Sequence, residues 1–194
     1  MKLPSSWHDL KINQFIELRA ALEMRDVDAL DRNVLIVSAL INKSVEWVEA
    51  NMSLSDLTNV IANCKFTSEL PSGNTAKYFW LGGKLWRVDL DVSKIIPAQY
   101  IDLSLITKTE DDVIDNMHKI MAIFCRPITQ SKYDSVKAEK HAQLFYKKMS
   151  SHFAYTTAVF FYHLFNELFL ATQTYLVQQA KAIAMELKSE SQLA

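Results

Sequence analysis

Glycine and proline are scarce in this 194-residue chain, with three and four residues respectively. So few chain-breakers exclude a collagen-like repeat, a flexible linker or a long disordered tail, and they leave no glycine-rich loop to cradle a phosphate. Cysteine is rarer still. Cys64 and Cys125 lie far apart in apolar surroundings, which predicts buried free thiols and excludes the paired pattern of a small secreted fold. No charge sign dominates either: 21 basic residues face 22 acidic ones, for a formal charge of −1, without the cationic excess that draws a domain to nucleic acid. The opening residues, Met1 to Asp9, have no apolar run of the secretory kind, so a reducing cytoplasm is the expected location.

Apolar side chains are plentiful. They make up 49% of the residues against 22% charged, enough to fill the core of one sizeable domain. Phe15, Leu18 and Leu22 are spaced for one face of a first helix over 11–24. Asp26 or Asp28 suits the cap of a second helix around Val34–Val37, ended by Asn42 and Lys43. Ser44 opens a short helix bearing Trp47, and Ser53 with Asp56 forms a capping box followed by Leu54, Leu57, Val60 and Ile61 at helical intervals. Residues 11–63 therefore predict four compact helices, and 67–76 the clearest loop. Further on, Pro97 suits the first turn of another helix, running through Tyr100, Ile101 and Leu105. Thr109 and Asp112 form a second capping box before the stripe Val113, Met117, Ile120, Met121 and Phe124, which Pro127 stops. Asp134 or Ser135 caps a helix whose inner side is Ala138, His141, Ala142, Phe145 and Tyr146.

Between these helices lies the one β signal, Lys77 to Leu90. Its Gly82-Gly83 centre permits the positive φ angles of a two-residue hairpin turn. That register puts Phe79, Leu81, Trp86, Val88 and Leu90 on one face, and Tyr78, Trp80, Leu85, Arg87 and Asp89 on the other. A lone hairpin is marginal in water, so the first face should rest on helices. The second face still carries an aromatic pair, suited either to cross-strand packing or to a partner. The expected fold is mainly α: a helical domain over 1–150 with the inserted hairpin at about 77–90, and a long C-terminal helix over about 151–188. An unbroken helix of that length would span about 55 Å, against a radius of gyration of about 16 Å for a compact domain of this size. The segment 151–194 is accordingly expected to pack on the domain or on a partner.

Motifs that carry chemistry are missing: there is no dinucleotide fingerprint, P-loop, paired-cysteine motif or nucleophile elbow. His163 and Glu167 stand one helical turn apart and could share a metal, yet no second copy of the motif supplies further donors, and a local hydrogen bond or ion pair suits them as well. His118, His141 and His152 lack an obvious triad partner, and His118 reads as a surface residue beside Lys119. Lys137, Lys140, Lys147 and Lys148, preceded by Arg126 and Lys132, read as a solvated helix face rather than a phosphate track. Phe153 to Val177 is long enough to cross a bilayer, but His163, Asn166 and Glu167 near its middle would cost several kcal/mol there. No catalytic residue, cofactor or metal is expected.

An order of short elements nevertheless stands out. Pro4-Ser-Ser-Trp7 precedes a helix with Gln14-Phe15-Ile16-Glu17, followed by Asp31-Arg32 and the Ser53-to-Asp56 helix start. An aromatic hairpin then leads to Pro97-Ala-Gln-Tyr-Ile-Asp-Leu103 and to His118-to-Pro127, with Tyr133 shortly after. Over residues 4–165 this order resembles tailed-bacteriophage virion-assembly proteins, of the tail assembly chaperone or neck and tail component type. The resemblance implies a non-catalytic protein of the host cytoplasm that binds other phage structural proteins or copies of itself. It transfers no site residue. The contact candidates are Tyr78, Trp80 and Leu85 on the hairpin, with Phe160, Phe161, Leu164, Phe165 and Leu168 on the long helix. Each suits a core position equally well. Two other readings remain open: a metal-dependent helical enzyme using His163 and Glu167, and a membrane-active phage effector using 153–177.

Overall fold

Helix starts with a capping residue in the sequence have that cap satisfied in the computed structural model, which describes residues 3–167. Helix α1 (Ile12–Glu23) is followed by α2 (Ala29–Ile41), where the Asp28 side chain accepts from Leu30 N–H and Asn42 closes the far end at φ 53°. Ser44 caps α3 (Val45–Asn51), and Ser53 and Asp56 complete the capping box of α4 (Leu54–Asn63). A 3₁₀ turn, Lys65–Ser68, leads into the loop. Strands β1 (Tyr78–Leu81) and β2 (Lys84–Val88) form the hairpin, after which a second 3₁₀ turn, Val92–Lys94, precedes α5 (Pro97–Ile106) with Pro97 in its first turn. The expected single helix after Thr109 is two, α6 (Glu110–Asp115) and α7 (Met117–Phe124). They break at Asn116, whose backbone and side-chain N–H groups both donate to the Asp112 carbonyl. Strand β3 (Cys125–Pro127), α8 (Ser135–Lys148) capped by Asp134, and α9 (helical over 151–167) complete the described residues. The expected continuation of α9 to 188 lies outside them.

A first compact unit runs to Val159, and residues from Phe160 on belong to a second. Within the first, most residues of the predicted stripes are buried. Leu18, Val34, Val37, Leu40, Val48, Leu57 and Val60 join the first four helices, with Cys64 buried beside them. Met117, Ile120, Met121 and Phe124 are buried on α7, which packs against α5 and α8. Leu22 is instead 47% exposed, and Ala21 takes the inward place on α1; Leu54 on α4 and Ile101 and Leu105 on α5 also face solvent. The segment before α1 is tied to the α8–α9 junction: Ser151 N–H donates to Leu10 C=O at 2.8 Å and Ile12 N–H to Met149 C=O at 3.2 Å. Trp7 stands edge-on to Phe15 and Phe66, both at 5.1 Å.

The sheet is antiparallel in the order β1-β2-β3. Its hairpin has the expected register, Phe79 opposite Trp86 and Trp80 opposite Leu85, around Gly82 and Gly83 at φ 58° and 72°. Those left-handed angles match the turn to the twist of the strands. On the inner face Trp86, Val88 and Cys125 are buried, and the Trp86 ring lies 4.8 Å from Phe145 and 4.7 Å from His141 of α8. The third strand was not expected. It gives β2 a partner on both sides and ties the hairpin to the end of the most buried helix.

Candidate functional site

Because side chains alternate along a strand, pairing β2 with β3 aligns two rows across the outer face of the sheet. Trp80 and Leu85 pair directly, and Ile128 extends the row through its N–H bond to the Leu85 carbonyl at 3.1 Å. Trp80 is 72% exposed and Ile128 52%, so this row is an apolar surface open to solvent. The neighbouring row is Tyr78, Arg87 and Arg126, set by the pairs Tyr78–Arg87 and Arg87–Arg126. Two guanidinium groups directly opposite one another repel and need a counter-charge. Asp89, immediately after β2, supplies it: one oxygen takes Arg87 Nε at 2.8 Å and the other takes Arg126 Nη2.

Tyr78, Arg87, Asp89 and Arg126 line a groove of about 1020 Å³ between the sheet, the segment 91–96 leading into α5, and the loop 131–133. Five cations line it, Lys77, Arg87, Lys94, Arg126 and Lys132, against two carboxylates, Asp89 and Asp91. At the rim Lys94 holds Asp91 at 2.8 Å, which together with the Ser93 hydroxyl keeps that carboxyl down at about 2. On the wall Tyr133 donates to Asp102 at 2.6 Å, and burial and that bond push its phenol well above the ordinary value. The floor is less settled. The Arg126 side chain is only 8% exposed, and its Nε and Nη1 have no hydrogen-bond partner. A buried donor left unmade costs about 1–3 kcal/mol. Burial, with Arg87 opposite, pulls the guanidinium below its ordinary value. The groove therefore offers mainly positive charge and N–H donors.

Of the expected contact residues, the structure brings Tyr78, Trp80 and Leu85 together on this face. On α9, Phe160 is 39% exposed, Phe161 is buried, and Leu164 and Phe165 are half-buried; Leu168 lies outside the described residues. His163 and Glu167 are both exposed on that helix, and no group of three or more His, Cys, Asp or Glu residues suited to a metal occurs among the described residues. No helix among them is long and apolar enough to cross a membrane. Two expectations are corrected. Arg126 does not belong with the lysines of α8, which are exposed; a β-strand three residues long turns it into the groove. His118 is not a surface residue: it is 9% exposed, beside Tyr146 at 5.1 Å, and burial with Lys119 nearby pushes its imidazole down to about 4. The clue to Arg126 was its place between Cys125 and Pro127 immediately after an apolar stripe, too short a run to show a strand period. Comparison with protein-family models, with curated proteins and with solved structures finds no match to this chain.

Proposed function

We propose that this chain is a non-catalytic assembly or structural protein that works through protein–protein contacts, in the building of a bacteriophage tail. The phage setting rests on the sequence resemblance. The observation that carries the contact reading is the outer face of the sheet: Trp80 at 72% and Tyr78 at 50% exposure, held on an ordered hairpin. Folding gains nothing from leaving the largest apolar side chain in water on a strand. Trp, Tyr and Arg dominate the energetics of protein interfaces, and all three stand here side by side with Leu85 and Ile128. A rigid strand pair also presents them at small ordering cost.

The test is co-purification of the chain with the tail-tube and tape-measure proteins of the same phage, with light scattering for the chain alone. The expected result is a complex or a self-oligomer that Trp80→Ser and Tyr78→Ser together abolish while the chain still unfolds in one cooperative transition. A chain that stays monomeric and passes every one of those proteins without retention overturns the reading.

A further inference from the structure

We infer that the groove beside the sheet is a binding site for an oxyanion, a carboxylate or phosphate group, held by Arg126 and Arg87. This goes beyond the contact reading and does not depend on it. The argument starts from charge. At the floor, two guanidinium groups share the single carboxylate of Asp89. At the rim, Lys77 and Lys132 add two more cations, so a chain that is acidic by one charge overall concentrates positive charge in one concavity. A cleft with walls of low dielectric focuses that field and draws anions in.

The second, independent observation is the state of Arg126. Its side chain is more than nine-tenths buried and lines the groove, yet Nε and Nη1 donate to nothing. Buried guanidinium groups ordinarily have their donors taken up, because an unmatched one forfeits its hydration without return. An arginine kept in that state at the floor of a cationic groove points to an acceptor that the folded chain itself does not supply. Oxyanions are the matching class, since their several oxygens accept charge-assisted N–H bonds from planar guanidinium groups. Asp89 completes the arrangement by holding the two like charges together until the anion arrives.

The experiment is thermal unfolding of the full chain in millimolar citrate or inorganic phosphate, with ionic strength held constant by sodium chloride. Both anions also stabilise proteins generally by exclusion from their surface, so the comparison is made against variants. The expected result is a saturable rise in melting temperature with at least one anion. In Arg87→Gln its midpoint should move up about tenfold or more, while Lys147→Gln on the exposed face of α8 should leave it unchanged. Saturation with citrate alone assigns the site to carboxylates, and with phosphate alone to phosphate esters. Arg126→Gln should abolish the rise, and if that variant does not fold, Arg87→Gln carries the test. The site is overturned if neither anion gives a saturable rise, or if Arg87→Gln and Lys147→Gln respond like the parent chain.

Discussion

Gln14 and Gln99 do the same work in two helices. Each is the third residue of its helix, its side-chain oxygen accepts the N–H at the helix start (Lys11 at 3.1 Å, Ile96 at 3.3 Å), and each is buried. Each amide then donates to carbonyls at the end of a neighbouring helix: Gln14 to Ala39 and Leu40, Gln99 to Ile123. One side chain thus satisfies the free donors of one helix and the free acceptors of another. Gln14→Leu keeps the volume and removes every one of those bonds, so it should destabilise the chain by about 1–3 kcal/mol in urea unfolding. Arg126 is the opposite case. Its charge is buried with two donors unmet, and Asp89 keeps Arg87 as a partner if Arg126 is removed. Arg126→Met should therefore melt no lower than the parent while losing any anion-dependent rise. A residue retained for packing would show the reverse, a lower melting temperature in every buffer.

Elements were legible where one short signal decides them. Ser53 with Asp56, Thr109 with Asp112 and Pro97 each mark a helix start by local chemistry, and the double glycine fixes both the turn and the register of the hairpin. What could not be read depends on a distant partner in one case and on a local side-chain bond without a sequence signature in the other. Strand β3 exists because β2 offers it a ladder, and the α6–α7 break exists because Asn116 folds back on the Asp112 carbonyl instead of continuing the stripe. The two faces of the sheet were separable by alternation, but not the buried arginine that the third strand adds to the outer one. This gives a comparison within one hairpin. Trp86 is 1% exposed, donates to the Leu81 carbonyl at 3.0 Å and packs on Phe145; Trp80, two strand positions from Tyr78, projects into solvent. Trp86→Ala should cost about 3–5 kcal/mol, and Trp80→Ala about 1 kcal/mol or less, measured by chemical denaturation. Comparable losses for the two would mean that Trp80 is part of the core and the outer face is not a surface for contact.

At the level of the whole chain, the titrating groups divide the acid limb of stability into two ranges. Asp56 and Asp134 are held below the ordinary aspartate value of 3.8 by hydrogen bonds at helix caps, and the stability they contribute is lost only as pH falls below that value. The histidines act earlier. His118 is pushed from 6.5 to about 4 by burial, and His141 and His152 are also lowered, each mainly by burial and His152 also by His8 at 3.8 Å. A lowered folded value means that the unfolded chain takes up the proton first. Stability is then full above about pH 6.5 and falls as pH drops toward 4. Glu17, raised by burial, works the other way, gaining a little as pH nears its own range from above. Guanidinium unfolding across pH 4 to 7 should show stability declining from pH 6.5 downward, with a slope set mostly by His118. Its Nδ1 has no partner to lose, and the ring packs against Tyr146, so His118→Leu leaves no donor stranded and removes the proton-binding site. That variant should flatten the decline between pH 6.5 and 4 and leave the steeper loss below pH 4 in place. An unchanged slope would mean that His118 reaches water in the folded chain and that the decline belongs to His141 and His152.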